Sequence, residues 1–143
     1  MPSLLRSCIL FLLLCLSFSA TAQSAVGTWK TIDDNTGEEK SHIEIYEENG
    51  KIYGKVAKLL LSPADTTCDT CKGDKKGQPL VGMILVDGLV SKKDYWEGGT
   101  IMDPESGKSY KCKIYMDGPD KLEVRGYIGI EALGRSQYWI RVK

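Results

Sequence analysis

The chain has 143 residues, and its 19 Lys plus Arg balance its 19 Asp plus Glu, for a formal net charge of zero. That balance gives no long-range field toward nucleic acid or anionic lipid, and a nucleic-acid binder of this size normally carries a basic excess. The length allows one domain and no more.

The first segment, MPSLLRSCILFLLLCLSFSATAQ, is set apart from the fold. It has one cation, Arg6, an apolar run from Cys8 to Leu16, and a small-x-small ending at Ala20-Thr21-Ala22. This is the pattern of a secretory signal peptide, and the run is too short to span a bilayer. Residues 1–22 are therefore expected to be a cleaved signal peptide, and residues 23–143 a single exported domain of about 120 residues, periplasmic or secreted. A lipoprotein site at Cys15 is disfavoured by Leu14. The leader takes both Phe residues, Phe11 and Phe18, with it, so every remaining aromatic is Tyr or Trp, with a polar end that seeks a partner.

From there the chain alternates with period two, interrupted by turn signals. VGTWKTI opens it. SHIEIYEENGKIYGKVAKL reads as two strands about Asn49-Gly50, a strong two-residue hairpin signal. A short helical piece is conceivable near Leu59 to Leu61. GMILVDGLV is a further strand. YWEGGTIMDPESGKSYKCKIYM is a second hairpin about residues 103–107, and KLEVRGYIG follows a turn at Asp117-Gly118-Pro119-Asp120. SQYWIRV closes the chain. Eight strands in consecutive hairpins predict an all-β fold, an antiparallel up-and-down barrel, with an open sandwich as the alternative. One face of the later strands carries Lys111, Lys113, Glu123 and Arg125, the other Cys112, Ile114, Leu122 and Val124. The apolar face belongs inside, so the barrel is not expected to be membrane-embedded.

The stretch from Ser62 to Pro79 has no periodicity, and structureless loops of that length tend to be functional or flexible. A lid over the barrel mouth and a tolerated surface insertion both fit it. It holds Cys68 and Cys71; Cys112 is the third cysteine outside the leader. A redox pair normally stands at a helix N-terminus, and the Gly and Pro residues after Cys71 allow no helix. A zinc site of Cys68, Cys71, Cys112 and the lone His42 needs side chains from opposite strand faces. The preferred reading is a Cys68–Cys71 disulfide with Cys112 buried, in an oxidising compartment; Cys112 in place of one partner is the alternative pairing. No metal or cofactor is expected.

Gly27-Thr28-Trp29, opening the first strand, resembles the Gly-x-Trp signature of lipocalins and related calycin barrels. The resemblance implies an Arg from the last strand region packed over the Trp to close the barrel. Arg141 is preferred to Arg135 for this, since it lies on a predicted strand. A wider resemblance runs through GTWKT, GKIYGKV, PLVGMIL, GGTIMDPESGKSYKCKIYM, LEVRGYIG and GRSQYWIRV. In their order and spacing these are similar to the bacterial family catalogued as domain of unknown function 2147. That family implies an exported lipocalin-like barrel suspected of carrying small molecules.

The segments that carry the resemblance suggest ligand-binding positions: Trp96, Tyr110, Arg125, Tyr127, Arg135, Gln137 and Trp139. Their side chains suit the polar end of an amphiphile. The alternative for Arg125, Gln137 and Trp139 is an outward face, holding the barrel closed. Gly98 and Gly99 suggest a bulge or a close backbone approach. Ile52, Val56, Ile114, Leu122, Val124 and Ile128 are expected to point inward and line a cavity. The function expected is that of a binding protein holding a small apolar or amphipathic molecule. The alternative is an envelope structural or interaction module with a filled barrel. An enzyme comes third: His42, with Ser41 and Glu44 beside it, forms no readable nucleophile–base–orienter series, and no catalytic residue is assigned.

Overall fold

The computed structural model describes residues 23–143; the expected leader lies outside them. Eight antiparallel strands form one closed barrel in simple chain order. They are β1 (Gly27–Ile32), β2 (Glu39–Glu48), β3 (Lys51–Leu59), β4 (Ile84–Ser91), β5 (Tyr95–Met102), β6 (Ser109–Met116), β7 (Lys121–Tyr127) and β8 (Arg135–Arg141). Closure is made by β1 against β8, pairing Trp29 with Arg141 and Lys30 with Ile140. Every strand thereby finds a partner on both sides, which removes the open edge a sandwich would have to protect.

Alternation decides which side chains enter the barrel. Along β1 to β3, Trp29, Ile43, Ile45, Ile52 and Val56 are buried; along β6 to β8 the same holds for Cys112, Ile114, Leu122, Val124 and Trp139. The β2–β3 turn has both central residues left-handed, Asn49 at φ 51° and Gly50 at φ 77°. That is the backbone a two-residue hairpin following the strand twist requires. The bulge expected near Gly98 and Gly99 is present as a register shift between Trp96 and Gly99.

The helical piece considered near Leu59 to Leu61 is absent: β3 runs through Leu59 and the chain then bends. Two short 3-10 turns stand instead at Gly73–Lys75 and Glu131–Leu133. The inward assignment of Ile128 is also overturned. Strand β7 ends at Tyr127, Gly129 turns the chain at φ 77°, and Ile128 is 71% exposed.

The long loop is not structureless. It folds on itself through a Thr67–Pro79 bridge, with Cys68 N–H donating to Gln78 O and Gly77 N–H to Cys68 O. Cys68 and Cys71 are disulfide-bonded and buried, and Cys112 is a buried free thiol. The loop docks on the β5–β6 turn, where Thr70 Oγ1 donates to Pro104 O at 2.6 Å.

The β1–β2 and β5–β6 turns are built alike. Asp33 Oδ1 accepts from the N–H groups of Asn35 and Thr36, and Asp103 Oδ1 accepts from Glu105 N–H. In each turn the leading Asp carbonyl also takes the N–H of the glycine four residues on, Gly37 or Gly107. An Asp that satisfies its own turn in this way fixes the loop without help from the rest of the protein. The two turns stand at the same end of the barrel, beside the start of β8.

Candidate functional site

The two ends of the barrel are built differently. At the end holding the β2–β3, β4–β5 and β6–β7 turns, Trp29 is fully buried and donates from Nε1 to Ala25 O at 2.8 Å. The Arg141 guanidinium stacks on its ring, with Cζ 4.2 Å from the centroid. Arg141 also donates to the carbonyls of Ser24, Val26 and Pro119, tying the N-terminal segment to the β6–β7 turn. A smaller hollow of about 280 Å³ remains there, beside Ile52 and Trp96.

At the other end the barrel holds a cavity of about 380 Å³. Its apolar wall comes from Ile43, Leu85, Ile101, Val124 and Trp139. These side chains enter from five different strands, so the cavity belongs to the barrel rather than to one loop. Thr31 and Ser41 add a buried hydroxyl pair, their oxygens 2.7 Å apart. The mouth is polar and crossed by two charge pairs. Asp34 Oδ2 accepts from Arg135 Nη2 at 2.8 Å and from Gln137 Nε2 at 3.3 Å. Lys40 meets the Glu105 carboxylate on the opposite turn. One buried group lacks a partner among the described residues: the indole Nε1 of Trp139, a side chain 3% exposed.

A family model matches residues 27–141, from the first strand to the last. The chain belongs to the family described as uncharacterized protein conserved in bacteria, DUF2147. No curated protein matches this DUF2147 chain. Among solved structures it is similar to protein HP1028 from Helicobacter pylori, described as belonging to the lipocalin family. The two share 18% identity over 85% of each chain, with a TM-score of 0.76. At that identity the likeness is one of fold: a lipocalin-like barrel.

Of the positions chosen from the sequence, Tyr110, Arg135, Gln137 and Trp139 come together around the larger cavity. Gln137 and Trp139 thus face inward, contrary to the outward alternative: Val124 pairs with Gln137 and Leu122 with Trp139, inward residue against inward residue. The other three lie elsewhere. Trp96 borders the hollow at the closed end. Arg125 and Tyr127 alternate with the inward Val124 and Gly126 and stand on the outer wall. There Arg125 donates to Glu131 O at 3.0 Å and to Ser136 Oγ at 2.9 Å, binding the β7–β8 loop rather than a ligand. Val56, Ile114 and Leu122 fill the barrel instead of lining space, since all three are buried and border neither cavity.

The barrel-closure set, Gly27, Trp29 and Arg141, is assembled at one point. A Cβ on Gly27 would stand 2.6 Å from Arg141 Nη1, so the glycine leaves room for the guanidinium. His42 alternates with the inward Ser41 and Ile43 and pairs in register with Lys30 and Lys58, away from Cys112 and from the cavity. Among the described residues no cluster of His, Cys, Asp and Glu has a metal-binding arrangement.

Sequence reasoning missed Asp34, Lys40 and Glu105 at the mouth, and Thr31 and Ser41 in the wall. The hydroxyl pair left a usable signal: Thr31 lies two residues after Trp29, and Ser41 two before Ile43, both on inward positions. A polar residue in phase with an apolar strand face marks a polar spot in the interior.

Proposed function

We propose that this protein is an exported carrier that holds a small apolar or amphipathic molecule in the open end of its barrel. The observation that carries this is the asymmetry of the interior. One end is clamped by Trp29 and Arg141 and keeps only a smaller hollow of about 280 Å³ beside the N-terminal segment, while the other keeps a 380 Å³ space with an apolar wall from five strands and a polar mouth. Binding sites for small molecules have this construction, and the volume falls in the lower part of their usual range, roughly 300–1,000 Å³. A barrel serving only as a scaffold has no need of such a space, and a 120-residue chain loses packing by keeping it. Export is supported by the charged, apolar and small-residue succession of residues 1–22 and by a disulfide of the kind oxidising compartments maintain.

The test is native mass spectrometry of the protein purified from its own cell envelope, followed by denaturation of the same sample. A reproducible excess mass that leaves on denaturation identifies the ligand class. A bare mass in every preparation, together with a specific crosslinked protein partner, would replace this reading with that of an envelope interaction module. Recovery of the protein in the cytosol with residues 1–22 attached would remove the export part.

A further inference from the structure

We infer that the β7–β8 loop is a docking site for an uncharged bilayer surface, which it enters with Ile128, Ile130 and Leu133 beside the open mouth of the barrel. The choice of a bilayer as partner rests on the carrier reading, while the loop itself lies outside the cavity.

Solvent exposure singles this loop out. Ile128, Ile130 and Leu133 are 71%, 61% and 80% exposed, and no other large apolar side chain among the described residues exceeds 48%. Scattered apolar side chains on a surface are ordinary, whereas three within one short loop form a patch that calls for a partner. The loop is also firmly built. Arg125 donates to the carbonyls of Glu131, Ala132 and Gly134, while the N–H groups of Leu133 and Gly134 turn back to Ile130 O and Glu131 O. A loop that stays in water can leave its carbonyls to the solvent; one that enters a lipid interface has to satisfy them from within. The single charge of the tip is handled in the same way. The Glu131 carboxylate turns back to Lys113 Nζ and the Tyr115 hydroxyl on the outer wall, so Ile128 to Leu133 present no free charge.

The extent and position of the patch favour a bilayer over a protein. The adjoining outer wall of β6 and β7 is charged, with Lys111, Lys113, Glu123 and Arg125, so the apolar surface ends where the loop ends. A stable protein interface takes roughly 20–30 residues a side, and three side chains on a tip fall far short of that. A lipid interface asks only for the tip, inserted to a depth of about 5–10 Å. The loop is flanked by Gly126 and Arg135, both of which border the larger cavity. Docking here brings the mouth up to the lipid, and an apolar molecule passing between the two crosses little water. The charges of the chain balance, so attraction comes from apolar area and not from lipid charge.

The test is flotation of the protein, purified after expression of the full chain, with vesicles of palmitoyl-oleoyl phosphatidylcholine. The protein is expected to float with the vesicles, and raising the salt concentration should change this little. Each of Ile128→Ser, Ile130→Ser and Leu133→Ser should lower the partition coefficient about tenfold, the factor expected for losing much of one buried apolar side chain. The triple variant should stay with the solvent, at a urea midpoint equal to the parent's, since all three side chains are exposed. A second measurement reads orientation. Cys112 is buried and Cys68 and Cys71 are bonded, so a thiol-reactive nitrobenzoxadiazole label goes to an added cysteine. On Leu133→Cys its emission should shift to the blue with vesicles. On Lys93→Cys, in the exposed β4–β5 turn at the closed end, it should not.

Parent protein that stays out of the vesicle fraction overturns the docking site, while native mass spectrometry of a bound molecule decides the carrier reading by itself. Equal flotation of parent and triple variant, or a blue shift at both labels, overturns the role of this loop. Flotation confined to vesicles containing phosphatidylglycerol, and lost in salt, overturns the apolar mechanism in favour of charge. A parent dimer that the triple variant reduces to a monomer assigns the tip to a second copy of the chain and overturns the bilayer.

Discussion

Arg141 lies over the Trp29 ring at 4.2 Å and at the same time holds the carbonyls of Ser24, Val26 and Pro119. One guanidinium therefore joins the start of the chain, the β6–β7 turn and the last strand at the place where the barrel closes. The β1–β8 ladder is short, two register pairs and a further bond from Val142 N–H to Thr28 O, so this side chain reinforces the seam where the backbone pairing is thinnest. Arg141→Ala removes the stacking and three charge-assisted donors at once. The expected loss is about 2 kcal/mol, read as a lower urea midpoint at unchanged slope. Arg141→Lys should recover little, since an ammonium cannot span those carbonyls as a planar fork does. A midpoint equal to the parent protein would show that the ladder closes the barrel unaided.

The disulfide loop is seated by contact with Gly107. A Cβ at that position would stand 2.0 Å from Thr70 O, on a backbone at φ 71° that side chains rarely adopt. Gly107→Ala is expected to lift the loop from the β5–β6 turn at a cost of about 1–2 kcal/mol. Hydrogen exchange should then speed up at Cys68 and Gly77, whose N–H groups are bonded within the loop, while the β6–β7 ladder keeps its protection. Unchanged exchange at these two amides would mean that the loop is held by its own disulfide and bridge alone.

How far the sequence spoke depended on whether a local pattern set the phase of each strand. In β6 and β7, Cys112, Ile114, Leu122 and Val124 alternate with charged residues, so the inward face was legible at once. In β8 the adjacent aromatics Tyr138 and Trp139 satisfy either phase, and only the pairing of Trp139 with Leu122 decides it. Ile128 was misplaced because alternation was extended past the end of β7 into a turn. Asp34 could not be found by any local rule. Asp33 and Asp34 look equivalent in a turn, yet one caps that turn and the other reaches Arg135, 101 residues away. The fold was thus carried by short-range periodicity, and the mouth of the cavity by long-range pairing that periodicity does not encode.

Cys112 is 1% exposed, and burial pushes its thiol up to about 12 from an ordinary 9.0. Only the thiolate reacts with alkylating agents. Iodoacetamide at pH 8 should leave Cys112 unmodified in the folded protein and label it fully in urea, with Cys68 and Cys71 labelled only after reduction. Peptide mass mapping reads each site separately. Native labelling of Cys112 would mean that the barrel wall opens around β6, and unreduced labelling of Cys68 or Cys71 would mean that the pair is not bonded.

On the outer wall, Glu131 accepts from Lys113 Nζ and from the Tyr115 hydroxyl, both at 2.6 Å, while Arg125 holds its backbone carbonyl. The loop's one acid is thereby pinned to the barrel, and Ile128, Ile130 and Leu133 are left facing solvent. The bond from Lys113, followed by that from Tyr115, holds the Glu131 carboxyl below its ordinary value of 4.5. A carboxyl lowered on folding stabilises the native state above its unfolded pKa, because the unfolded chain is then the better proton acceptor. That stability is lost as pH falls from about 4.5 through the folded value. Stability should therefore decline below pH 4.5 in the parent protein and decline less steeply in Glu131→Gln, which cannot gain the proton. Urea midpoints measured between pH 3 and pH 6 for both proteins check this. Parallel acid limbs would show that other carboxylates govern acid unfolding and that the Glu131 contacts persist in the protonated state.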